Sequence, residues 1–72
     1  MGKYSFATGT VTYAIRGRDI LKNKGIRAYI ERSTDKDRIG CGYSIIAIGK
    51  GETILNILQK NGIKVLDVKR IN

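Results

Sequence analysis

Cys41 stands between Gly40 and Gly42, the only thiol in a chain of 72 residues that has no histidine. The thiolate is the nucleophilic form of cysteine, and backbone N–H groups, hydroxyls and nearby cations favour it. Two segments offer such groups. Thr8, Gly9 and Thr10 make a turn of hydroxyls and glycine, and Arg32, Lys36 and Arg38 flank the loop that precedes the cysteine. Brought together, Thr8, Gly9, Thr10, Gly40 and Gly42 would stabilise an anion, and Arg32, Lys36 and Arg38 would supply the positive field. The expected result is a thiol that ionises below its ordinary range. The flanking glycines leave the sulfur open to a second molecule. With no histidine and no second cysteine, a hydrolase or an internal disulfide cycle lacks its parts; a thiolate that accepts a group and hands it on needs neither. The plain alternative is a small buried hydrophobe at a strand start.

The elements that must bring these residues together are legible as a repeat. Tyr4-Ser5 opens one unit and Tyr43-Ser44 the next; Asn23-Lys24-Gly25-Ile26 near the end of the first matches Lys60-Asn61-Gly62-Ile63 in the second. Tyr4 to Ile26 is 22 positions and Tyr43 to Ile63 is 20. The chain thus reads as one domain over 1–72 with a pseudo-repeat at 4–32 and 43–70. Each unit reads as strand, helix, strand. Short β-branched and apolar runs at 4–8 and 43–48 end in glycine. Val11, Ala14, Ile15 and Leu21 recur at helical spacing, with Gly17 on the same face, and predict a helix over 11–24. Ile54, Leu55 and Leu58 predict a second over 52–61. Gly25 and Gly62 fall where a left-handed residue ends a helix, and Ile26 and Ile63 can fold back as its apolar contact. Strands over 26–32 and 63–70 complete the set.

Two such units joined by a loop give an α+β, ferredoxin-like βαββαβ domain: an antiparallel four-stranded sheet of order 4-1-3-2 with both helices on one face. That order sets the start of the third strand beside the end of the first, so Cys41 should lie near the N-terminus of the first helix, where free N–H groups favour an anion. The other sheet face stays open and carries some of Tyr43, Ile45 and Ala47, or else Ser44, Ile46 and Ile48. Such a face suggests a homodimer.

With these residues in place, the chain resembles the selenium/sulfur carrier-like family, small bacterial domains of unknown function. The stretch from Ala14 through Arg16, Leu21, Lys22 and Gly25 to Ile26 is similar to that family's first-helix pattern. Gly40-Cys41-Gly42-Tyr43-Ser44 is similar to its Cys-Gly motif at the start of strand 3. The turn after the first strand departs from the family's Phe-Pro-Ser type, and the loop before the cysteine lacks its Pro-Arg pair. The resemblance implies a thiol that carries sulfur or selenium as a persulfide or selenosulfide on Cys41. It also implies a donor such as a cysteine desulfurase and an acceptor protein, so a carrier rather than a turnover enzyme.

Fourteen Lys and Arg against six Asp and Glu give a formal charge of +8, which favours anionic partners and also serves solubility. An RNA-binding module of RNA-recognition topology is therefore the alternative. Gly40-Cys41-Gly42-Tyr43 matches its Gly-aromatic-Gly-aromatic core at three of four positions, with Cys41 in place of the first aromatic and Ile39 where a basic residue should lead. The first strand offers only Tyr4 and Phe6 for stacking. A structural or regulatory homodimer without a reactive site is the third reading. Gly49-Lys50-Gly51 lacks the rest of a Walker loop and reads as a glycine turn into a helix. No Cys-x-x-Cys is present, so no metal and no cofactor is expected. No apolar stretch reaches the length of a membrane span, the N-terminus runs straight into a strand pattern, and a lone cysteine suits a reducing compartment. The cytoplasm is the default.

Overall fold

The computed structural model describes residues 2–32 and 42–71. In chain order the elements are β1 (Gly2–Ala7), α1 (Val11–Asn23), β2 (Ala28–Arg32), β3 (Tyr43–Gly49), α2 (Gly51–Lys60) and β4 (Asp67–Arg70). The sheet is antiparallel and open, ordered β2-β3-β1-β4, which from the other edge reads β4-β1-β3-β2. This small α+β arrangement is compatible with the ferredoxin-like kind. No helix among the described residues is long and apolar enough to cross a membrane.

Both helices end through the same device. In α1 the N–H of Ile26 donates to the Leu21 carbonyl and that of Gly25 to Lys22; in α2 the N–H of Ile63 donates to Leu58 and that of Gly62 to Gln59. These are the paired bonds of a Schellman stop, and Gly25 and Gly62 both take φ +78. The stop also shortens β4. Ile63 is used as a buried core contact behind the helix rather than as a strand residue, so β4 begins at Asp67, later than the β-branched pattern from 63 predicts.

Register decides which side of each strand meets the helices. Phe6 lies opposite Ile45, Tyr4 opposite Ala47, and Ile30 and Ala28 extend those two rows across β2. This face packs on Ala14, Leu21, Ile54 and Leu58 to form the core. Gly17 brings α1 close: a Cβ there would run into Ile45 Cδ1 and stand 3.0 Å from Leu58 Cδ2. Val11 and Ile15, expected to face inward, are exposed. At 100° per residue they stand roughly 90° and 130° round the helix from the centre of the Ala14–Gly17–Leu21 stripe.

The open face is therefore the one with Ser44, Ile46 and Ile48, not Tyr43, Ile45 and Ala47. Its rows run Arg27–Ile48–Lys3–Ile71, then Tyr29–Ile46–Ser5–Lys69, then Glu31–Ser44–Ala7–Asp67. Ile46 is only 2% exposed although no helix covers it. Its cross-strand neighbours are Tyr29 and Ser5, and the Lys3 ammonium lies 5.6 Å from the Tyr29 ring centroid.

Candidate functional site

The site expected around the β1–α1 turn is built by two contacts between that turn and the start of β3. The Thr8 N–H donates to the Tyr43 carbonyl at 2.9 Å, and the Thr8 hydroxyl reaches the same oxygen at 2.9 Å and the Thr10 carbonyl at 3.1 Å. Thr8 is 3% exposed, so its hydroxyl works as a clamp inside the fold. Thr10 is the N-cap of α1: its φ of -131 and ψ of 149 are extended, and its Oγ1 accepts from the Tyr13 N–H at 3.2 Å. Between them Gly9 takes φ +79, and a Cβ there would stand 2.9 Å from Leu66 Cδ1. The positive φ favours glycine here, while the exposed Leu66 side chain could swing aside from a Cβ.

One end of the sheet thus gathers Thr8, Gly9, Thr10 and Gly42, the last one residue before β3. The α1 first turn contains no acidic residue, and the N–H groups of Val11 and Thr12 have no intrahelical acceptor, as at any helix start. Arg32 ends β2 at this level, opposite Tyr43. Lys36, Arg38, Gly40 and Cys41 lie outside the described residues. Of the two threonines, Thr8 spends its hydroxyl proton within the fold, which leaves backbone N–H groups and the Thr10 hydroxyl proton as donors for an anion.

Sequence reasoning missed a further source of charge. The Leu66 N–H donates to the Ala7 carbonyl at 2.7 Å, which fixes the α2–β4 connection at this same end. Lys60 closes α2 and Lys64 follows it, both exposed. The signal was available in the topology, since α2 must run antiparallel to α1 and so ends where α1 begins. Glu31 and Asp67 lie at this end too, on the open face, and Asp67 Oδ1 accepts from the Val68 N–H at 3.0 Å. Among the described residues no group of three His, Cys, Asp or Glu side chains could hold a metal. The aromatics required for RNA stacking sit elsewhere than that reading needs. Phe6 is fully buried, and Tyr4 and Tyr43 pack against the core on the helix side of the sheet. Comparison with protein-family models, with curated proteins and with solved structures finds no match.

The clamp yields a measurable expectation. Thr8→Val keeps the shape and deletes the hydroxyl. The Tyr43 carbonyl still accepts the residue-8 N–H, and the Thr10 carbonyl still accepts the Ala14 N–H at 3.1 Å. No acceptor is stranded, so the loss in urea unfolding should be about 0.5–1.5 kcal/mol. Thr8→Ser should keep the hydroxyl bond. A serine variant less stable than the valine one would show that the methyl group, not the hydroxyl, matters at this position.

Proposed function

We propose that the protein is a ferredoxin-like sulfur or selenium carrier in which Cys41 holds the cargo atom as a persulfide or selenosulfide and passes it to a partner. The observation that supports this most directly is the double hydrogen bond from Thr8 to the Tyr43 carbonyl, because it joins the chain just after the cysteine to the N-terminal turn of α1. A persulfide is more acidic than a thiol and is anionic at neutral pH. The first-turn N–H groups, without a competing carboxylate in that turn, suit such a group. Arg32, Lys36, Arg38, Lys60 and Lys64 would draw an acidic donor or acceptor face.

The transfer balances without an added oxidant. The Cys41 thiolate attacks the outer sulfur of a donor enzyme's persulfide, a bond forms between Cys41 Sγ and that sulfur, and the donor's S–S bond breaks. The electron pair leaves on the donor cysteine as a thiolate. Selenium moves by the same count from a donor S–Se bond. The test is intact-mass spectrometry after incubation with a cysteine desulfurase and cysteine, which should show a gain of one sulfur per chain, removable by dithiothreitol. An unchanged mass would remove the reading.

We also propose self-association through the open sheet face, where Tyr29, Ile48 and Ile71 are exposed around the buried Ile46. Light scattering should show the average mass rising with protein concentration towards twice that of the chain, and Ile48→Lys should return it to the single-chain value. A mass that stays at one chain throughout would exclude this interface.

A further inference from the structure

At the opposite end of the sheet β3 outlasts β2, and the chain leaves an opening there. β2 begins at Ala28 and β3 continues to Gly49, with the Ile48 N–H donating to the Arg27 carbonyl at 3.1 Å. The segment that ends α1 and the turn that begins α2 therefore diverge around a cavity of about 420 Å³. Its apolar wall is Ile26, Ile48 and Ile54, and its rim carries Arg27, Lys50 and Thr53. The two glycines that border it have reasons to be glycine. Gly25 takes φ +78 with nothing within 4 Å of where a Cβ would sit, and Gly49 takes φ +155 with such an atom 3.2 Å from Ile54 Cδ1.

Small-ligand sites are concave and mostly apolar, with a few polar groups that fix orientation, and they commonly enclose roughly 300–1,000 Å³. This open cleft matches that description in its volume and its mostly apolar lining. Both charged side chains that line it, Arg27 and Lys50, are cationic, and Thr53 adds a hydroxyl. We infer that it binds an amphipathic monoanion, a short acyl or aryl body bearing one carboxylate, with the body against Ile26, Ile48 and Ile54 and the carboxylate between Arg27 and Lys50. The pairing is electrostatically selective: a cation of the same body would meet two like charges and no acid on the rim. Gly49 and Lys50 then have a ligand-facing role although the Gly49-Lys50-Gly51 turn lacks a Walker loop. The site shares no residue with the β1–α1 turn and the start of β3, so its test is independent of sulfur transfer. Ile48 also lies on the face proposed for self-association, so the titration is run where light scattering shows a single chain.

The experiment is an amide-resolved NMR titration of the whole chain with decanoate, kept below micelle-forming concentration, alongside acetate and decyltrimethylammonium. Decanoate should give saturable shifts confined to residues 25–27 and 48–54, whereas acetate and the cationic amphiphile should not saturate there. Arg27→Gln combined with Lys50→Gln should weaken decanoate roughly fivefold or more, the loss of two partly exposed ion pairs. Thr53→Trp, on the exposed side of α2, should fill the cavity and abolish the saturable shifts. Equal binding of the cationic amphiphile, shifts scattered over the surface, or no saturation with decanoate would each overturn the assignment.

Discussion

Replacing Cys41 with serine is expected to reduce sulfur loading from one atom per chain to none. The transfer requires an atom that is nucleophilic near neutral pH and forms a bond to sulfur that a second thiolate can later break. A serine hydroxyl satisfies neither condition. Its oxygen stays protonated without a base, and the sequence contains no histidine to act as one. No second cysteine can substitute either, because the chain has only one. The readout is the intact mass after desulfurase treatment, measured on variant protein with native far-UV dichroism. A selenocysteine lyase with selenocysteine should give the matching gain in the native chain and nothing in the variant. A mass gain that survives in Cys41→Ser would place the cargo on another side chain and end the carrier reading. A gain on cysteine that alanine substitution of Arg32 and Lys64 leaves unchanged in rate would instead remove the steering role given to the cations.

The helix stops were legible because each depends on two neighbouring residues with one physical job. Gly25-Ile26 and Gly62-Ile63 state both the left-handed turn and its apolar contact, and each pair makes both expected bonds. The face of β3 was not legible, since 43–48 carries large apolar residues at both parities. Only pairing with Phe6 and Ala28 assigns Ile45 and Ala47 to the core, and Tyr29 and Ser5 flank Ile46 on the other side. At the candidate site, the meeting of the β1–α1 turn with the start of β3 followed from strand order alone. What Thr8 does there did not. A buried threonine whose hydroxyl is spent on a carbonyl looks, in sequence, the same as one that offers a proton to a ligand. Lys60 and Lys64 escaped notice for a related reason, as they are far from Cys41 along the chain and reach the end of the sheet that holds the β1–α1 turn only through the direction of α2.

Phe6→Ala should be the most damaging of the simple core truncations. Phe6 is fully buried beside Ile45 and Val68, with the Tyr4 ring centroid 6.3 Å away, and it joins β1 to both neighbouring strands of the sheet. Truncating a buried phenylalanine costs about 3–5 kcal/mol, from lost transfer energy and the cavity left behind. A domain of 72 residues has about 4–11 kcal/mol in total at the usual 0.05–0.15 per residue. The variant should therefore lose about a quarter of its stability at the least, and in the lower part of that range it would be substantially unfolded at 25 °C. Two features of the site make relaxation difficult. Ile45 cannot move towards α1 because Gly17 already brings that helix against its Cδ1, and β1 is held on both sides by main-chain pairing. Phe6→Leu keeps most of the volume and should cost no more than about 1.5 kcal/mol. Urea unfolding followed by far-UV dichroism separates the two, with the slope checked for constancy so that the midpoint shift reports stability. A loss below about 1 kcal/mol in Phe6→Ala would mean that the core closes over the gap, and that β1 is not the strand on which the packing depends.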